Sequence, residues 1–252
     1  MGRLCGAARS TPMSFAARTG PNSMTDFVLV PGAGGAAWYW HRVVPELEAL
    51  GHRAIAVDLP ADDDSAGLDA YADAVLAAIG NLSSPILVAQ SMGAFTASIV
   101  ATRISVRMLI LLNPMIPSPG ETAGAWWDNT SQSAAMLEHA RRIGLPSVSL
   151  DDHEALFGHD VPPEIFAAGG AHARNQSGTP FGESWPLDAW PDVPTRVLLS
   201  RDDRLFPADF QRRVTRERLG IEPEEMDGGH LVALSRPAEV AARLVALAAD
   251  QD

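Results

Sequence analysis

The chain has 252 residues, 46% of them apolar, and a formal net charge of −12. That length suits one sizeable α/β domain with an inserted subdomain, and the apolar share is ordinary for a globular core. All 19 basic residues are arginine, and the acidic balance argues against nucleic acid or an anionic membrane surface as partner.

No apolar run is long enough to span a bilayer. The lone cysteine, Cys5, excludes an internal disulfide and a cysteine-built zinc site. Residues 1–23 carry Arg3, Arg9 and Arg18, no acidic residue and no apolar stretch of signal-peptide length. They read as a disordered upstream extension, with a natural start at Met24 and a transit-like leader as the alternative. A cytoplasmic location is the expectation, with folded structure from about Asp26.

Residues 27–30 form a short buried strand that ends at Pro31. Helix-like sequence over 42–50 stops at Gly51, a natural residue just past a helix end. A second strand covers 53–57, and 61–65 is a solvated acidic loop. Helical periodicity over 68–79 stops at Gly80. A third strand, 86–89, runs into a helix-compatible stretch, 92–103. A fourth strand covers 106–112.

The alternation then breaks from about Pro114 to Pro194. This gap holds Trp126, Trp127, Trp185 and Trp190, several prolines, and helix-like pieces at 134–142 and 153–157. It reads as a lid over the strand ends, so 115–194 is expected to be a subdomain inserted in a core of 24–114 and 195–252. The tryptophans are first of all core formers; Trp126 and Trp127 are also candidates to line a substrate pocket. A fifth strand is expected at 196–199 and a sixth at 222–226. The last helix is expected to be capped by Ser235, with Pro237 in its first turn, and to run to Ala249. Alternating β and α segments predict an α/β fold: a doubly wound, mostly parallel six-stranded sheet with helices on both faces and an inserted helical lid.

In such sheets working residues sit at the carboxyl ends of strands. After the third strand comes Ala89-Gln90-Ser91-Met92-Gly93. A serine at a sharp strand-to-helix turn, with small residues two before and two after it, has the pattern of a nucleophile elbow. Small-x-Ser-x-Gly strings also recur by chance, so the pattern gains weight only from partners. Acyl transfer by serine needs a base, a carboxylate to orient the base, and donors for the oxyanion. Asp202 and Asp203 follow the fifth strand and His230 follows the sixth, in Asp227-Gly228-Gly229-His230-Leu231. The oxyanion donors would be the N–H of Met92 and one from Pro31-Gly32-Ala33-Gly34-Gly35, most naturally Ala33.

That glycine run also supports a rival. Residues 32–37 fit G-x-G-x-x-A, and Asp58 ends the next strand where a ribose-binding acid would stand. The rival is a dinucleotide-binding oxidoreductase. It needs a helix starting inside the glycine run, which would bury Pro45 deep in that helix at a cost of about 3 kcal/mol. A metal is poorly supported: His153-Glu154 begins like a zinc-protease helix, but Phe157 takes the second histidine position. His41, His52, His139, His159 and His172 read as surface or lid residues.

These segments together resemble the α/β-hydrolase superfamily, and most closely its branch of methylesterases, hydroxynitrile lyases and bacterial esterase-like relatives. The pieces are Val28 to Gly34 with Trp38 and Trp40; Gly51-His52-Arg53 leading to Asp58-Leu59; Gln90-Ser91-Met92-Gly93; Asp202-Asp203-Arg204; and Gly229-His230-Leu231 followed by Leu234-Ser235-Arg236-Pro237. Pro31 stands where the family commonly has histidine, and Ala89 where it has glycine. The resemblance implies a serine-dependent carboxylic ester hydrolase acting on a small-molecule ester, with no cofactor. Ser91 is then the nucleophile, His230 the base and Asp203 its orienting acid; Asp203 lies three residues after Ser200, the small residue ending its strand. Gly32 and Leu231 would border the substrate. C–C bond hydrolysis and cyanohydrin cleavage are alternatives on the same fold, and a non-catalytic ligand receptor is one of a different class. In the related lyases a lysine follows the histidine and a threonine replaces the first loop glycine. Here those positions are Leu231 and Gly32, which weighs against cyanohydrin cleavage. The oligomeric state is left open.

Overall fold

A computed structural model describes residues 24–145 and 149–249. The expectations for residues 1–23 and Cys5 lie outside the described residues. Six parallel strands, β1 (Asp26–Val30), β2 (Arg53–Ala56), β3 (Ile86–Gln90), β4 (Met108–Leu112), β5 (Thr195–Ser200) and β6 (Glu224–Met226), form one sheet in the order β2-β1-β3-β4-β5-β6. The strand order reverses between β1 and β3, whose carboxyl ends lie side by side with Val30 opposite Ala89. A crevice opens at such a reversal, and loops leaving the two strands meet there.

Side chains alternate across each strand, so the central strands β1, β3, β4 and β5 feed two cores. On one face Phe27, Leu29, Ile86, Val88, Met108 and Ile110 pack with α1 (Val43–Ala49) and α10 (Pro237–Ala249). On the other, Val28, Val30, Leu87, Leu109, Leu111 and Val197 pack with α2 (Leu68–Ile79), α3 (Gly93–Arg103) and α8 (Ala208–Leu219). β1, β3 and β4 have apolar residues on both faces because helices cover both.

Between β4 and β5 the chain adds α4 (Ala123–Asn129), α5 (Gln132–Arg142), a π-helical turn (Glu154–Gly158), α6 (Pro163–His172) and α7 (Thr179–Gly182). Three of its tryptophans root this insert in the body of the protein. Trp126 and Trp185 are almost wholly buried, and their indole N–H groups donate to Ile116 O at 2.9 Å and Ser98 Oγ at 3.0 Å. Trp190 donates to Thr195 Oγ1 at 3.0 Å.

Several boundaries differ from the sequence expectation, each for a local reason. Glu222 pairs with Arg216 at 2.6 Å instead of opening β6, which starts after Pro223. Ser235 does not cap α10. It ends a short helix, α9 (Val232–Ser235), and its hydroxyl donates to Asp160 Oδ2 at 2.7 Å. His52 is buried, not on the surface: its Nδ1 accepts the Thr25 N–H at 3.3 Å, and its ring stands edge-on to Phe27. No helix among the described residues is long and apolar enough to cross a membrane.

Candidate active site

The turn after β3 is tight enough that backbone, not side chains, limits it. A Cβ on Gly93 would come within 2.6 Å of Pro31 O and 3.1 Å of Val30 O, so the helix can leave the elbow only without one. Ala89, fully buried in β3, fits its place. Ser91 takes φ 51°, a left-handed conformation that a non-glycine residue holds at a cost of order 1–3 kcal/mol. The strain is held by pairing on both sides: Ser91 N–H donates to Leu112 O at 3.1 Å, and Ser91 O accepts from Ala94 and Met115 N–H.

The loop after β1 lies directly on this turn. A Cβ on Gly32 would meet Ser91 Cβ at 2.9 Å and Gln90 Oε1 at 2.4 Å. Gly34 and Gly35 have φ of 87° and 59°, so no helix starts in the glycine run. A 3-10 turn, Ala37–Trp40, follows, and the first α-helix after it is α1, with Pro45 in its first turn. Asp58 is engaged within the chain, accepting from Ala37 N–H at 2.9 Å and Arg174 Nη2 at 3.0 Å. This geometry removes the dinucleotide reading, because no α-helix begins within the glycine run to turn its N-terminus toward a pyrophosphate. Gly34 N–H is held by Gln176 Oε1 from the insert at 2.8 Å. Among the described residues no hydrogen bond takes up the N–H of Ala33 or of Met92.

The loops after β5 and β6 bring Asp203 and His230 together. His230 Nδ1 lies 2.8 Å from Asp203 Oδ2, and both residues are buried. The other carboxylate oxygen, Oδ1, accepts the N–H of Leu205 at 2.9 Å and of Phe206 at 2.8 Å, which fixes its direction. With Nδ1–H given to Asp203, Nε2 is left as an acceptor, and the amide of Gln90 reaches it at 3.0 Å. Gln90, the residue just before Ser91, thus holds the imidazole at Nε2. No hydrogen bond joins Ser91 Oγ to His230 among the described residues.

Asp202 turns the other way. It is exposed, and its Oδ2 accepts the Gly228 N–H at 3.1 Å while its own N–H donates to Gly228 O. It anchors the histidine loop and, among the described residues, pairs with no arginine. The two glycines before His230 also differ. Gly228 has φ 125° and makes the turn; Gly229 has no positive φ, and its missing Cβ makes room for Asp160 and His159 of the insert.

Sequence reasoning missed Asn113. It ends β4 with φ 44° and is fully buried. Its Oδ1 accepts the Ser200 N–H at 2.7 Å, and its Nδ2 donates to Ser200 Oγ at 3.0 Å and to Gly229 O and His230 O at 3.4 Å. It joins the ends of β4 and β5 to the histidine loop. The only sequence signal is a polar residue between an apolar strand and Pro114.

Aromatic rings enclose the imidazole. Phe206 stands edge-on at 4.9 Å and Phe157 of the insert at 5.6 Å. Half-buried Trp127 lies 5.8 Å from Phe206. Trp126, the other pocket candidate, is fully buried against Phe206 and Phe210 and is a packing residue. Leu231 is half-buried and packs with the core that holds α1 and α10. Burial pushes the Tyr39 hydroxyl up, helped by the negative charges of Asp203 and Asp160, so it stays a neutral phenol. Burial, then Arg204, holds the His159 imidazole below its usual range. No group of three or more His, Cys, Asp or Glu residues able to hold a metal ion occurs among the described residues.

Known proteins resemble the chain over this whole span. An alpha-hydroxynitrile lyase of Arabidopsis thaliana is 25% identical over 266 residues, covering 89% of this chain and 97% of the relative. Methylesterase 7 of the same plant is 27% identical over 258 residues, covering 90% and 97%. A probable esterase of Oryza sativa subsp. indica is 26% identical over 257 residues, with the same coverage. Among solved structures, polyneuridine aldehyde esterase superposes with a TM-score of 0.72 at 18% identity, covering 89% of this chain and 99% of that one. A pyrethroid hydrolase from Sphingobium faniae JZ-2 gives 0.71 at 23% identity, covering 90% and 98%. At those identities the two structures bear on the fold alone. The sequence model described as the alpha/beta hydrolase family matches residues 27–243, strand β1 through most of α10, and the chain belongs to that family.

Proposed function

We propose that this protein is a serine-dependent carboxylic ester hydrolase that works through an acyl-enzyme on small apolar or aromatic esters. The observation that carries the reading is the convergence of three loop ends: a strained Ser91 after β3, His230 after β6, and Asp203 held 2.8 Å from His230 Nδ1. Ser91 Oγ attacks the acyl carbon as His230 Nε2 takes its proton. The carbonyl π electrons move to oxygen, where the N–H groups of Ala33 and Met92 meet the charge. Collapse expels the alcohol, which takes the proton from Nε2. Water then repeats the sequence, giving its proton to Nε2 and releasing the acid. Asp203 stabilises the imidazolium in both halves. The Gln90 amide must hand Nε2 over to Ser91 in the first step, an exchange between hydrogen bonds each worth about 1 kcal/mol net.

Substrate class rests on the lining. Half-buried Phe157, packed against His230, and half-buried Trp127 offer apolar area to a bound group. The chain's net charge of −12 disfavours anionic esters. Relatives named as esterases and methylesterases point to the same bond. The insert acts as a lid in this reading.

A fluorophosphonate probe and a panel of p-nitrophenyl and methyl esters test it. Ser91 should label, and Ser91→Ala should neither label nor turn over, with kcat down by about 10⁶-fold. Equal labelling or equal turnover of the two proteins rejects Ser91. Tight ester binding with no turnover by the wild-type protein favours a receptor.

A further inference from the structure

One carboxylate of the insert holds both ends of the histidine segment. Asp160 follows the π-helical turn, and its Oδ2 accepts the Gly229 N–H at 2.7 Å and the Ser235 hydroxyl at 2.7 Å. Gly229 immediately precedes His230, and Ser235 ends α9. The four residues of α9 are too few to hold their shape unaided, because helix nucleation is unfavourable at that length. The approach is close. A Cβ on Gly229 would stand 2.6 Å from Asp160 Oδ1 and 2.8 Å from His159 Nε2. Two further contacts seat the same turn of the insert: Arg204 Nη1 donates to Ala155 O at 2.9 Å, and Phe157 lies against the imidazole.

We propose that Asp160 is a positioning residue that clamps the His230 loop, so that seating the insert and aligning the base are a single event. The proposal rests on His230 being the base. Asp160 accepts from the loop and not from the imidazole, whose Nδ1 and Nε2 are taken by Asp203 and Gln90. It acts by fixing where the backbone carries the ring. A reacting group misplaced by about 1 Å can cost on the order of 100-fold in rate.

Asp160→Ala should lower kcat by about 10- to 100-fold with little change in KM. Asp160→Asn should recover most of it, since the amide oxygen can accept both hydrogen bonds. The downfield proton resonance of the His230 Nδ1–H···Asp203 bond, read without substrate, should stay sharp in wild type and Asp160→Asn and broaden in Asp160→Ala. Ser235→Ala removes one donor only and should show a smaller change in the same direction, which keeps the test open if Asp160→Ala folds poorly. Wild-type kcat and an unchanged resonance in Asp160→Ala, even with a lower melting temperature, overturn the clamp. So does an equal loss in Asp160→Ala and Asp160→Asn. A wild-type protein that hydrolyses no ester defeats the hydrolase reading instead, and the substrate-free resonance then decides the clamp alone.

Discussion

Adjacent loop residues point apart, and Asp202 and Asp203 have divided their partners accordingly. Asp203 gives one oxygen to His230 Nδ1 and the other to two backbone N–H groups, so its direction is set before any substrate arrives. Asp202 holds the Gly228 N–H from the solvent side. Asparagine at 203 could turn its amide nitrogen to the imidazole and favour the wrong tautomer, so Asp203→Asn should lower kcat by about 10⁴-fold. Asparagine at 202 still offers an oxygen to Gly228, so Asp202→Asn should leave kcat nearly unchanged. Steady-state kinetics of the two variants decide the assignment, and the reverse ranking rejects it. Gln90, Asn113 and Asp160 were invisible at this scale because their partners lie far off in the chain: Gln90 and His230 are 140 positions apart, Asn113 and Ser200 87, Asp160 and Gly229 69. A glutamine inside an elbow motif carries no local mark of what its amide will meet. The serine, the aspartates and the histidine were legible because each falls at a strand end in a fixed chain order.

Elements were legible where period and punctuation agree. Helix α2 occupies the residues its apolar spacing marks out, and Gly80 ends it with φ 54°, a conformation that costs glycine little. The insert lacked such signals. Helix α6 buries no side chain fully, only half-burying Ile165 and Phe166, so its apolar stripe is too short to read; α7 has four residues; the π-helical turn depends on its neighbours. Its tryptophans read first of all as core formers, and three of them are anchors with satisfied indole N–H groups; Trp126, also a pocket candidate, is one of these. The elbow itself is an element-scale device, with β1, β3 and α3 meeting at Gly93. A methyl group there presses on the carbonyl oxygens of Val30, which ends β1, and of Pro31 just after it, and β1 is paired on both sides and cannot withdraw. Gly93→Ala should therefore destabilise the fold by about 1–3 kcal/mol and reduce activity per folded molecule. Urea unfolding followed by fluorescence measures the first, and an unchanged midpoint would show that the elbow relaxes.

Across the whole molecule, the insert is tied to the core at its start as well as at the histidine loop. Glu121, just before α4, pairs with Arg218 of α8 and also accepts from Asn129 Nδ2 at 2.8 Å and Ser118 N–H at 3.1 Å. Both charged side chains are nearly inaccessible, 4% for Glu121 and 12% for Arg218. Burial alone pushes the Glu121 carboxyl up, but Arg218, Asn129 and the Ser118 N–H together outweigh it and hold it below its ordinary 4.5. A folded value below the unfolded one means this group stabilises the protein fully above the unfolded value. The contribution drains away as pH falls through the folded one. The ion-paired carboxylates Asp209, Glu222 and Glu225 shift in the same direction, so the wild-type melting curve alone cannot single out Glu121. The difference between wild type and Glu121→Gln can. At pH 7 the variant leaves the Arg218 charge without its counterion and should lose up to about 3–5 kcal/mol. As pH falls from the ordinary 4.5 through the lower folded value, the wild-type carboxyl takes up a proton, and the two proteins should converge. Melting temperature followed from pH 7 to pH 3 tests this. Parallel curves would mean that Glu121 contributes no pH-dependent stability.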